Sequence, residues 1–126
     1  MKRVLAAAVI AALLSPFALR VLAEDEPKES TLKGELLDLT AYLSKGKRGP
    51  ENSDASEAAI RGGAPAAIVG DDGTVTVILF KGNEGREALK YVGHNVEITG
   101  IVYDKGGVRG VFTKSVKDLG AAEAPK

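Results

Sequence analysis

TVTVILFKGNEGREALKYVGHNVEITGIV, residues 74–102, sets a helical segment between two strands, and that placement decides the fold. Val75, Val77 and Leu79 fall on one face of the first strand. Thr74, Thr76 and Ile78 fall on the other, the period-two pattern of a half-buried strand, with Thr76 marking its wetter side. Asn83 is placed to cap a helix. Glu84 and Glu87 sit in its first turn, where the helix dipole favours negative charge, and Ala88, Leu89 and Val92 form its apolar stripe. Gly93 stops it. Beyond the stop, Val96, Ile98 and Val102 alternate with Glu97 and Thr99 as a further strand.

Working outward, Asp71-Asp72-Gly73 is a turn joining the run Ala66–Val69 to Thr74–Phe80, which makes a first hairpin. On the other side, Asp104-Lys105-Gly106-Gly107 leads into a strand from Val108 to about Val116, a second hairpin. Upstream, Thr31–Thr40 (TLKGELLDLT) has the leucine and threonine content of a strand, with Gly34 as a bulge or bend. The order is strand, long insertion, hairpin, helix, hairpin. This predicts a mainly β chain with a small α component, a five-stranded OB-fold-like Greek-key barrel with a helix between strands 3 and 4. A generic antiparallel α+β sandwich is the alternative built from the same elements.

The N-terminus carries a different signal. Lys2 and Arg3 precede the apolar run Val4–Leu14, and Val21 and Ala23 suit a signal peptidase cleft, so residues 1–23 read as a cleaved signal peptide and the protein as periplasmic or secreted. An uncleaved anchor is the rival reading, but a spanning helix takes about 20 apolar residues, and Ser15, Pro16 and Arg20 interrupt this run. No stable membrane insertion is expected after cleavage. Residues 24–30 read as a solvated leader, 31–119 as the domain and 120–126 as a polar tail.

Removal of residues 1–23 leaves 103 of 126 residues, enough for one core. It also takes away three of 17 cations while all 17 carboxylates stay, a balance of −3 that disfavours nucleic acid as a partner. The chain has no cysteine. A lipid-bearing N-terminal cysteine, disulfides and thiol chemistry are therefore excluded.

Ala41–Ala64, AYLSKGKRGPENSDASEAAIRGGA, lies between the first two strands and is long for a connector, a place where function concentrates. Ser53 or Asp54 can cap a short helix inside it, with Ala55, Ala58, Ala59 and Ile60 as its apolar side and Gly62-Gly63 as its end. Tyr42-Leu43, Gly46, Gly49, Gly63 and Pro65 recur at characteristic spacings, together with Asp72-Gly73 and Lys90-Tyr91-Val92-Gly93. In this the chain resembles a family of small exported bacterial OB-fold proteins with a Cys-Tyr-Leu, Gly, Gly, His, Cys, Cys, Gly, Pro pattern in that loop. The resemblance covers roughly residues 33–116. It implies a thiophilic metal site in the family, but here the Cys and His positions are Ala41, Asn52, Ala55 and Ala59. Alanine offers no lone pair, so the resemblance implies a degenerate member with no metal, in which alanine packing docks the loop helix.

Lys45, Lys47 and Arg48, beside Gly46 and Gly49, form a basic patch suited to a phosphate, an anionic glycan or an acidic partner; they also read simply as a solvated loop. Arg61, Lys105 and Arg109 extend the charge, and the expectation is that these groups converge on the barrel's binding mouth. Tyr42 and Tyr103 could stack on a ring or edge a core. His94 is the only imidazole and makes a poor metal site alone. Turn chemistry and helix dipoles account for Asp71-Asp72 and Glu84/Glu87, and neither Ser53 nor Ser56 has the context of a hydrolase nucleophile.

The expectation is a non-enzymatic binding module for a protein, a glycan or a small anionic ligand, with no catalytic residue and no cofactor. A metal-handling protein using Glu51, Asp54 and Glu57 for harder cations is the alternative, and a nucleic-acid-binding OB-fold comes third. An incompletely closed barrel would leave edge strands able to pair with another chain.

Overall fold

The computed structural model describes residues 26–123; the signal-peptide assignment to residues 1–23 and the last three residues of the tail lie outside them. The chain folds as a closed five-stranded, OB-fold-like barrel with small helices and strand order β1-β2-β3-β5-β4. The elements are β1 (Lys28–Asp38), α1 (Leu39–Lys45), a single 3-10 turn (Pro50–Asn52), α2 (Ser53–Arg61), β2 (Ala66–Val69), β3 (Val75–Leu79), a 3-10 helix (Arg86–Tyr91), β4 (His94–Lys105) and β5 (Val108–Ala121). All neighbours are antiparallel except β3 and β5, which pair in parallel at Val77↔Gly110, Ile78↔Val111 and Leu79↔Phe112.

The core is the barrel interior. Leu36, Ile68, Ile78, Val96, Ile98 and Val111 point inward from the five strands, and Ile60, Ala88, Leu89 and Val92 plug one end. Buried aliphatic groups of this size contribute about 1.5–3 kcal/mol each, and without disulfides this burial and the sheet ladders hold the fold. A second cluster lies outside the barrel, where α1 lays Leu39 and Tyr42 over Leu37, Ala67 and Val69.

Several local expectations change. Thr76 and Ile78 face the interior, and Val75, Val77 and Leu79 face outward, half-buried. The strand is apolar on both sides, so alternation alone did not fix which side is wet. The segment between strands 3 and 4 is a 3-10 helix whose N-cap is Gly85 rather than Asn83, with no side-chain cap. Gly34 is not a bulge: β1 pairs with β4 without a register shift from Lys28 to Glu35. The irregularities lie in the β4–β5 pairing, between His94 and Val96 and between Thr99 and Gly100.

β1 also begins at Lys28, inside the expected leader, and ends at Asp38, whose carboxylate accepts from the Thr40 amide and starts α1. Ala41 and Tyr42 are thus helical. β5 runs to Ala121, and Ala122 is buried with its amide donating to the Gly93 carbonyl, so the start of the expected tail belongs to the fold.

That bond is part of a knot at the plugged end. The Gly93 amide donates to Leu36 O (2.8 Å), and the insertion packs directly on Gly93. Gly93 has φ +85°, and a Cβ there would sit 2.9 Å from Ser53 Cβ and 3.1 Å from Pro50 Cα. Gly106, with φ +59°, faces open space. We expect Gly93→Ala to lower stability in urea unfolding by about 2–4 kcal/mol, from left-handed strain of ~1–2 kcal/mol plus overpacking. Gly106→Ala should cost only the strain, about 1 kcal/mol.

Candidate functional site

The insertion is bound to the barrel through a buried carboxylate. Glu35 sits on β1 where that strand leaves β4 for β2, and it is only 1% exposed. Its Oε2 accepts from the Gly49 amide (3.0 Å), and its Oε1 lies 3.3 Å from Arg48 Nε. Asn52 Nδ2 in turn donates to the Arg48 carbonyl. A buried charge is tolerable only when paired and hydrogen-bonded, so Arg48 and Gly49 are fixed to the barrel rather than free to meet a ligand.

The neighbouring candidates divide accordingly. Lys45 and Lys47 are exposed. Arg61 Nη2 lies 2.7 Å from Glu57 Oε1 along the same face of α2. Tyr42 is half-buried against the outer cluster, the core-edge role. Helix α2 docks through Ser56 and Ile60, not through the alanines: Ala55 and Ala58 are exposed and Ala59 half-buried. Alanine packing is therefore not what holds this helix. Among the described residues no group of three or more His, Cys, Asp or Glu side chains is placed to hold a metal ion, Glu51, Asp54 and Glu57 included.

Tyr103, Lys105 and Arg109 do not join this group. β1 runs antiparallel to β4 with Lys28 opposite Val102 and Glu35 opposite Asn95, so the β4–β5 turn lies at the start of β1 and the insertion at its end. The turn and the insertion thus lie at opposite ends of an 11-residue strand, although the Arg109 side chain reaches back to the hollow lined by Lys33 and Gly70. The expected convergence of charge does not occur.

The turn end has its own organisation. Lys105↔Val108, Tyr103↔Gly110 and Ile101↔Phe112 are cross-strand partners. Tyr103 and Phe112 meet edge to face, with ring centroids 5.7 Å apart and planes at 88°. Val77 and Leu79 extend this face onto β3, and Lys105 and Gly110 complete a shallow hollow. Val108 is 63% exposed, Tyr103 41% and Phe112 36%.

The outer apolar band thus continues from the half covered by α1 to a half that no described helix or loop covers. Sequence reasoning found Tyr103 and Lys105 but missed Val108, Phe112, Val77 and Leu79. The run Gly110-Val111-Phe112 carried the clue, since adjacent apolar residues in a strand face opposite ways. Arg109 points to the other side of the sheet, with its Nε 2.8 Å from Asp104 Oδ1, at the mouth of the barrel.

His94 Nδ1 lies 2.8 Å from Asp118 Oδ1, on the strand ends near the Gly93 knot. The Gly120 amide donates to the same oxygen, and this bond first, then the His94 contact, holds the Asp118 carboxyl pKa below the ordinary aspartate value. Asp72 is lowered likewise by the Thr74 amide and then the Thr74 hydroxyl. Compared with family models, curated proteins and solved structures, the chain matches none.

Two outcomes follow from this geometry. Glu35→Gln should free the 46–49 segment, seen as at least tenfold faster tryptic cleavage at Lys47 and Arg48, with a stability loss of about 1–3 kcal/mol. A lowered carboxylate pKa contributes stability that is present above the unfolded value and lost as pH falls through the folded one. The melting temperature should therefore fall below pH ~4, and Asp118→Asn should flatten that acid limb in a thermal melt series from pH 2 to 6.

Proposed function

We propose that the protein is an exported, non-catalytic binding module that takes a protein partner on the uncovered outer face of β3, β5 and β4. The observation that carries this is the outward apolar set of exposed Tyr103, Val108 and Phe112 beside half-buried Val77 and Leu79, with an aromatic pair at its centre. Exposed contiguous apolar surface rimmed by polar groups is the mark of an interaction site, and tyrosine and phenylalanine are favoured at the centre of such sites. Lys105 at the rim adds steering rather than affinity. A protein suits this face better than a glycan or small anion, because Arg48 is tied to Glu35, Arg61 to Glu57 and Arg109 to Asp104. Lys2, Arg3 and the apolar run Val4–Leu14 support export to the periplasm or beyond. The likeness to exported OB-fold proteins with a cysteine-bearing loop supports the same compartment, with the metal ligands replaced.

A photo-crosslinking amino acid placed at Val108 in the native host should give one protein adduct of defined mass, and the same probe at Lys47 should not. Phe112→Ser should reduce the Val108 adduct at least tenfold, while added salt leaves it nearly unchanged. Adducts at Lys47 alone, or binding that collapses with ionic strength, would replace this reading with an anionic ligand on the insertion. The intact mass of the purified protein should correspond to loss of residues 1–23.

A further inference from the structure

The barrel is closed, but its β1–β2 seam involves only the last part of β1. Along β1, pairing with β4 runs from Lys28 to Glu35, whereas pairing with β2 begins only at Glu35 and ends at Asp38. Strand β2 leaves β1 by crossing over Gly34, where any Cβ would strike the Val69 carbonyl, and the chain then turns through Gly70–Gly73 into β3. Among the described residues, 28–33 of β1 therefore have a strand partner on one edge and none on the other.

The unpaired edge carries the backbone groups of alternate residues. The Lys33 carbonyl points to the Gly70 side, 3.5 Å from where a Cβ on Gly70 would sit, and by the period of the strand Thr31 and Glu29 present their amides and carbonyls the same way. The edge faces a cleft. On its far wall are Gly70, Asp72, Thr74 and Thr76, its floor is Leu32 and Ile68, and Arg109 lies between this hollow of about 200 Å³ and a second of about 250 Å³ that continues toward Ser30 and Val102.

Exposed edges in native sheets are normally blunted by charged side chains held over them. Here those side chains are drawn the other way, across the outer surface. Glu29 pairs with Lys114 (2.6 Å), Lys33 with Glu97 (3.4 Å), and the Thr31 and Thr99 hydroxyls meet at 3.1 Å. The cleft side of the edge carries hydroxyl and aliphatic groups together with two charged side chains, Asp72, held by the Thr74 amide, and Arg109, paired with Asp104.

We propose that this edge of β1 receives an extended segment of a partner polypeptide as an added strand, hydrogen-bonded to Thr31 and Lys33. Main-chain bonds supply affinity in such augmentation, and alternate side chains supply selectivity. The inward positions over Leu32, Ile68 and Thr76 take small or β-branched residues, and the segment must lack proline where its amides face β1. This site is separate from the outer face of β3, β5 and β4, and it stands or falls independently of it.

The test uses the full exported chain and amide hydrogen exchange read by NMR. In the free protein, Thr31 and Lys33 amides should exchange at least tenfold faster than those of Ser30 and Leu32, which face β4. A capped Thr-Val-Thr-Val-Thr-Val hexapeptide at millimolar concentration should slow Thr31 and Lys33 tenfold or more and shift Thr74 and Thr76. The same peptide with proline at its third and fifth positions should not. Thr31→Pro removes an amide that β4 does not use; it should keep the thermal melt within a few degrees and abolish the response. Equal protection of Thr31 and Ser30 in the free chain would overturn the proposal, as would no response to the first peptide or shifts confined to Tyr103 and Phe112.

Discussion

One buried carboxylate determines how this molecule is divided. Glu35 stands at the point on β1 where the strand exchanges one neighbour for another, and both its oxygens are taken by the segment that follows fourteen residues later. Removing a carboxylate from water costs several kcal/mol unless its lone pairs find donors. The chain meets that cost by bringing Arg48 and the Gly49 amide back onto the barrel. What reads as a loose excursion is consequently structural: the 3-10 turn at Pro50–Asn52 and the start of α2 are pressed against Gly93, and the C-terminal strand end is bound to the same glycine. One end of the barrel is plugged by these contacts.

The architecture was legible because it is written in punctuation and period. Asp72-Gly73 and Gly106-Gly107 mark the two hairpins, Gly93 marks the end of the intervening helix, and the inward Val96 and Ile98 lie at alternating positions, as expected of a strand with one buried face. Faces were less legible. Val75, Val77 and Leu79 look more apolar than Thr74, Thr76 and Ile78, yet Thr76 and Ile78 face inward, because the outer surface of this barrel is itself apolar and partly roofed by α1. A strand with two apolar faces gives a pattern without a sign.

The site was the least legible part, for a physical reason. Charge in a sequence says nothing about pairing, and Arg48, Arg61 and Arg109 are all engaged with carboxylates, the last two with ones a few residues away in their own segments. Glu35, by contrast, sits in a strand among leucines with nothing local to mark it as the anchor of a segment more than a dozen residues away. The proximity of Tyr103 to Phe112 depends on the β4–β5 register, which includes two shifts that no turn residue announces.

The register of β1 also bears on the order in which the structure can form. Lys28 must find Val102 and Glu35 must find Asn95, so the longest ladder of the first strand waits for a partner made some sixty to seventy-five residues afterwards. During synthesis from the N-terminus, the contacts of Glu35 with Arg48 and Gly49 and the short β1–β2 ladder are available early, whereas the β4 ladder and the parallel closure onto β5 require nearly the whole polypeptide. Assembly of this small barrel is thus dominated by distant partners, a topology that slows folding relative to chains built from local contacts, and its first strand is the one that spends longest with its hydrogen-bonding groups unmet.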